Sequence, residues 1–381
     1  MGSQSQSVGQ TKEPMSFSGE RKIVAGQGEI FELTGLRGVA ALMVALLHFN
    51  FDVAGRFGVI YENLTGVGFM GVDLFFILSG FVIAYKYHDI HRFWSRDYAQ
   101  FLWFRFWRIY PTHFFVTIFY IPIVVTALLL SRHVDPQRFS VSSLIANLLM
   151  VQSWLGSDTM TWNVPAWSVS AEWLAYVLFP LLITLSSRVP RSLVIVACGA
   201  LLLLVPALFA TLNISGAGFT GLVRLFPEFL SGCLIWRIYS HDMTRARIYD
   251  VALTAVLVLM LTSGLYLPTD YPFLVLPLFA CAIYLSCRSI GIASRILSCR
   301  PMVYLGTISY SLYLVHWSVH TIFRGILPAS TPLTLRLLIT LSVAILCAAL
   351  TYHFVEAPCR RFGKMWWGAA STRQRAAVQA G

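Results

Sequence analysis

The sequence predicts an all-α membrane protein, a polytopic bundle of about ten transmembrane helices with one further re-entrant or interfacial helix. Three observations predict it. The 381 residues are 57% hydrophobic and only 12% charged, about half the charged fraction of a soluble domain. The apolar residues gather in runs of about 17–25, the length a helix needs to cross the hydrocarbon slab. The basic residues fall in short loops between those runs, as in cytoplasmic loops.

Taken in order, the expected spans lie near 34–52, 67–85, 109–130, 165–187, 192–211, 221–239, 249–267, 271–287, 301–325 and 334–354. Residues 1–28 are polar and carry no apolar segment of the signal-peptide kind, so they are expected to form a disordered cytoplasmic tail. Residues 29–362 make the membrane domain, and 363–381 a cytoplasmic C-terminal tail. The stretch 140–156 (SVSSLIANLLMVQSWLG) is short and holds Ser, Asn and Gln. Loop charge decides how to count it. If it does not cross, the basic loops 86–108, 237–247 and 288–300 and the basic tail all fall on one side with Arg21 and Lys22. The positive-inside rule then gives ten spans, both termini in the cytoplasm, and 140–156 as the re-entrant or interfacial helix.

Composition also excludes functions. The net charge is +11, but no Lys/Arg cluster of the nucleic-acid type accompanies it, so no nucleic-acid partner is expected. No G-x-x-x-x-G-K-[ST] loop is present to cradle a nucleotide, and no G-x-S-x-G elbow marks Ser79 as a hydrolase serine. The seven cysteines lie mostly within apolar runs and lack C-x-x-C spacing, which fits small core residues better than a disulfide framework or a zinc site. His316 and His320 are four apart on one helix, without the Glu of H-E-x-x-H, and no metal is expected.

The first span, LTGLRGVAALMVALLHFNF, carries Arg37 and His48 with ten residues between them. On a helix that spacing is about 16 Å and three turns, so both project from nearly one face. A snorkelling arginine with a histidine satisfied in a helix interface also fits this helix alone. The ten-span topology sets His48, Asp73, Glu172 and His316 in one half of the membrane, and Arg37, Arg105 and Arg108 at the opposite face. A polar set at one depth in so apolar a chain points to proton chemistry. An imidazole can take the proton of an acceptor hydroxyl, with a neighbouring carboxylate, Asp73 or Glu172, fixing its tautomer. If the acceptor is an alcohol, the donor is an activated acyl group; guanidinium forks suit the phosphates of coenzyme A. A proton-coupled transporter or flippase of a lipid-linked glycan is the alternative that the same cavity would serve.

Several motifs stand in one order. They are R-x10-H (Arg37 to His48), G-x-x-G-V-D-L-F-F-x-L-S-G-F (Gly68 to Phe81), R-x-x-R-I-Y-P (Arg105 to Pro111) and W-N-V-P-A-W-S-V-S-A-E-W (Trp162 to Trp173). G-T-I-S-Y-S-L-Y-L-V-H-W (Gly306 to Trp317) and H-F-V-E-x-P (His353 to Pro358) follow. Through them the chain resembles the acyltransferase type 3 family of integral membrane O-acyltransferases, over roughly residues 30–362. The resemblance implies an acyl-CoA donor, usually acetyl-CoA, taken from the cytoplasm. It also implies a glycan or other hydroxyl acceptor, and a place in the bacterial inner membrane. His48 matches the family's essential histidine, with Asp73 and Glu172 beside it as candidate catalytic residues. Arg37, Arg105, Arg108, Ser79, Tyr310 and His316 are the candidate substrate-binding residues. Some members carry a fused esterase-like domain, whereas this chain ends shortly after its last span, so the membrane domain is expected to acylate the acceptor itself.

Overall fold

The computed structural model describes residues 28–50, 63, 65–132, 134–156, 160–212, 216–266, 275–328 and 330–380. The expected N-terminal tail lies outside them but for its last residue. Among the described residues the architecture is helical, with one isolated β-bridge between Ala246 and Ser289. In chain order come α1 (Phe31–Asn50), a 3₁₀ turn (Val67–Met70), α2 (Gly71–Tyr87), α3 (Arg96–Leu129), α4 (Val141–Leu148), α5 (Ala166–Val177) and α6 (Phe179–Arg188). They are followed by α7 (Val194–Leu212), α8 (Gly221–Tyr239), α9 (Arg247–Tyr266), α10 (Leu276–Arg288), α11 (Ile292–Leu297), α12 (Arg300–Thr307) and α13 (Ser309–Ile326). Last come α14 (Leu333–Thr351), a π-helical turn (Tyr352–Glu356) and α15 (Ala357–Ala380).

The described part of every expected span falls on a helix or a helix pair. Among the described residues six helices are long and apolar enough to cross a membrane, seven if the pair α5–α6, bent by 66°, counts as one span. The shortfall from ten has local causes. α8 carries Arg224, Glu228 and Arg237, α10 has only 13 residues, and the expected span 301–325 is broken at Ile308 between α12 and α13. The stretch 140–156 holds only the eight-residue α4, about 12 Å long and too short to cross. Ser140 caps it, its Oγ accepting from the Ser143 amide at 3.2 Å.

The α5–α6 bend follows from Pro180, which has no N–H to continue the helix. Tyr98 on α3 donates to the Val177 carbonyl at the break, 2.8 Å away. α3 itself runs 34 residues, about 50 Å, so it overhangs a hydrocarbon slab of about 30 Å at one end. α15 packs on this overhang: Trp103 donates to the Gly363 carbonyl at 2.8 Å, and Trp103 and Trp366 stack at 4.4 Å.

α1 and α2 are the most enclosed of the long helices, and α7, α9 and α14 ring them with exposed aliphatic faces. Lipid is as apolar as leucine, so helices here associate by close packing and polar pairing. One such close approach joins α2 to α8. A Cβ at Gly80 would lie 2.0 Å from the Phe229 carbonyl oxygen, and one at Gly232 would lie 2.2 Å from that of Ile77. Only glycine lets these backbones meet, and the approach brings Asp73 against Arg224.

One end of the bundle is clamped by polar loops. Asp242, between α8 and α9, pairs with Arg288, whose guanidinium lies over the Tyr249 ring at 4.2 Å. Hydrogen bonds from Thr244, and then the Arg288 guanidinium, hold the exposed Asp242 carboxyl down at about 2. Arg245 pairs with Glu32 at the start of α1, tying that helix to the same loop.

Candidate active site

Six of the nine expected site residues line one cavity of about 260 Å³: Arg37 from α1, Ser79 from α2, Arg105 and Arg108 from α3, Glu172 from α5 and Tyr310 from α13. All six are half-buried, with part of each side chain facing open space. Helix periodicity explains who joins them. Tyr176 is four residues after Glu172, and Tyr313 nearly one turn after Tyr310; both reach the wall.

Glu172 is held by two hydroxyls. Ser79 Oγ and Tyr176 OH each donate to its Oε1 at 2.5 Å. Tyr310 donates to the Ile109 carbonyl at 2.7 Å, locking α13 to α3 beside Arg108. Arg105 lies over the rings of Tyr87 (5.5 Å) and Phe101 (5.9 Å), and its buried Nε has no hydrogen-bond partner among the described residues. Among the described residues no carboxylate lies within 4.0 Å of the cationic nitrogens of Arg37, Arg105 or Arg108. The wall also carries Lys86 and Arg360, against the two carboxylates Glu29 and Glu172. The cavity is therefore strongly cationic and equipped for a ligand with several negative charges.

His48 and His316 lie apart from that wall, bonded to each other. The Leu312 carbonyl is 3.1 Å from His316 Nδ1, so with neutral rings that nitrogen is the donor and Nε2 the acceptor. His316 Nε2 is 3.0 Å from His48 Nδ1, and the Val44 carbonyl is 2.9 Å from the same atom. Both of these neighbours accept. The hydrogen-bond network thus assigns the His48 proton to Nδ1 and its lone pair to Nε2, the state of a general base. Trp317 packs its edge on the His48 ring at 5.1 Å.

Two expectations need correcting. Neither carboxylate orients His48: Glu172 is engaged by Ser79 and Tyr176, and Asp73 is taken by Arg224. Arg224 Nε donates to Asp73 Oδ1 at 2.9 Å, and its NH2 group to Oδ2 at 2.5 Å. Asp73 is wholly buried, away from the cavity wall, with Glu228 buried alongside. His316, expected to touch substrate, is itself wholly buried and fixes the His48 tautomer instead. The link between the two regions is Tyr313. It lines the cavity, bonds Ser168 at 2.5 Å, and sets its ring 6.0 Å from that of His316.

Sequence reasoning missed Tyr176, Tyr313, Arg224 and Arg360. The first two were signalled by their spacing from Glu172 and Tyr310. Arg224 was signalled by being an arginine inside an apolar run, a placement that demands a partner.

The family model described as an acyltransferase domain matches residues 30–353. Over 372 residues the chain is 29% identical to the acyltransferase MdmB of Streptomyces mycarofaciens, covering 86% of this chain and 91% of that one. It is 27% identical over 363 residues to the putative peptidoglycan O-acetyltransferase YrhL of Bacillus subtilis, and 24% over 367 residues to the peptidoglycan O-acetyltransferase OatA of Listeria monocytogenes. In each of these two pairs the match covers 87% of this chain, and it spans 55% of the first relative and 56% of the second. No solved structure matches the chain. With a model match over most of its length and residues of five of its six motifs on one cavity, the chain belongs to this acyltransferase family, as a multi-pass helical membrane protein.

Proposed function

We propose that the chain is a membrane O-acyltransferase that moves an acyl group, acetyl foremost, from acyl-CoA to a hydroxyl of a saccharide-containing acceptor. In this reading ten spans cross the bacterial inner membrane, and both termini and the Arg37 end of the cavity face the cytoplasm. The observation that carries the reading is the pairing of an unneutralised arginine cavity with a tautomer-fixed histidine three turns along the same helix. The donor's phosphates dock against Arg37, Arg105 and Arg108, and its pantetheine arm extends past Tyr313 towards His48. His48 Nε2 takes the proton of the acceptor hydroxyl as the oxygen attacks the thioester carbonyl. The C–S bond breaks, and the CoA thiolate leaves and collects a proton. Glu172, with Ser79 and Tyr176, holds the wall in shape along the donor's path.

Incubating the reconstituted protein with labelled acetyl-CoA and membrane glycans tests this. Free CoA thiol is expected to appear only when acceptor is present, with mass spectrometry finding acetylated glycan. His48→Ala should lower the rate by at least about 10²-fold while the protein still inserts. Glycan movement without thiol release would instead establish a flippase.

A further inference from the structure

One wall residue with no role so far is Arg360, and the way it is delivered there is unusual. α14 does not pass straight into α15: the turn Tyr352–Glu356 is π-helical. Such a turn holds one extra residue, which rotates everything after it by about 100° relative to an uninterrupted α-helix. After the rotation Glu356 points into the bundle, 1% exposed, and accepts from Ser311 Oγ on α13 at 2.9 Å. Arg360, one turn later, then reaches the cavity wall.

Glu356 steers this guanidinium without saturating it. Its Oε1 lies 3.5 Å from Arg360 NH1, and that oxygen has no hydrogen-bond partner among the described residues. The Arg360 side chain keeps 35% of its surface open. Arg108 is its strongest charged neighbour, and the two repel. A π-turn, a buried carboxylate and a hydroxyl are thus combined to hold one more cation beside three that already lack counter-charges. Like charges so placed raise the energy of the empty site, and an anion bound between them lowers it.

We infer that Arg360 is a donor-binding residue that engages a phosphate of the nucleotide part of the donor, and that Glu356 is its positioning residue. The inference rests on the proposed reading in taking acyl-CoA as that donor. The ligand class is a polyphosphorylated nucleotide thioester, recognised by its charge at this end and not by its acyl group.

The test is titration of the purified full chain in nanodiscs with CoA, with pantetheine and with inorganic pyrophosphate, for wild type and for Arg360→Gln, Arg360→Lys and Glu356→Gln. Arg360→Gln is expected to weaken CoA and pyrophosphate about 10-fold and leave pantetheine unchanged. Its CoA affinity should also depend less steeply on salt. Arg360→Lys should recover part of the loss, and Glu356→Gln should show a smaller loss of the same pattern. CoA and pyrophosphate affinities unaltered in Arg360→Gln would overturn the inference, as would an equal weakening of pantetheine, the mark of a general structural role. Wild type that binds pyrophosphate through Arg360 but not CoA would leave the anion site standing and remove the acyl-CoA reading.

Discussion

Two regions of this molecule enclose arginines, and they hold them in opposite ways. Arg224 is 4% exposed and spends its fork on Asp73 and on the Gly216 carbonyl at 3.0 Å. Arg37, Arg105 and Arg108 are half-buried, face open space and lack carboxylate partners among the described residues. The first arrangement is closed, because α2 and α8 meet through Gly80 and Gly232 and leave no room for a ligand. The second is open, and its charge is unbalanced. An enclosed arginine is therefore not in itself a sign of substrate binding; whether its charge is answered by the protein decides.

The largest effect that sharpens this contrast is on the closed pair. Asp73→Ala leaves a buried guanidinium unanswered and should cost about 3–5 kcal/mol of stability, read as a fall in melting temperature in detergent. Asp73→Leu with Arg224→Met should recover most of it, since well-packed apolar replacements of buried pairs are often neutral. If Asp73→Ala instead left stability unchanged and abolished turnover, Asp73 would belong to the chemistry and the contrast would be wrong.

Next in size is the open set. Arg108→Ala should raise the acyl-CoA concentration needed for half-maximal rate about 10-fold, with kcat and melting temperature little changed. A large loss of stability in this variant would make Arg108 structural, like Arg224. Smaller still, Tyr176→Phe removes one of the two hydroxyls on Glu172 and should cost about 1 kcal/mol locally. It should be visible as a reduced rate that Ser79→Ala does not reduce much further when combined with it.

The smallest effect lies outside both regions, at the exposed Asp242 of the Asp242–Arg288 clamp. The folded state holds the Asp242 carboxyl at about 2, below its unfolded value of about 3.9. Its stabilising contribution is present above that unfolded value and is lost as pH falls towards 2. Asp242→Asn should flatten the acid limb of the stability profile slightly, and leave the neutral region alone.

Much of this was legible in the sequence. The stretches that hydropathy picked out lie on helices, though only six or seven helices among the described residues are long and apolar enough to cross, and the polar residues in 140–156 marked the piece too short to cross. The motif arginines, Ser79, Glu172 and Tyr310 do share one cavity. Hydropathy could not order the helices around the bundle, because helices apolar on every side carry no mark of which neighbour they face. Depth alone made Asp73 and Glu172 equal candidates to orient His48, and neither does. The partner, His316, was visible at the right depth, but nothing in the sequence said that α13 lies against α1. Arg224 was the readable clue to Asp73: a carboxylate and an arginine in neighbouring apolar helices attract strongly when no water competes.

The most direct test of the central claim, that the unanswered arginines and not the paired one receive the donor, is one CoA titration on two double variants. Arg105→Ala with Arg108→Ala is predicted to lose CoA binding at an unchanged melting temperature, while Asp73→Leu with Arg224→Met binds CoA as wild type does. Undiminished CoA binding in the first variant, or its loss in a folded second variant, would contradict the account.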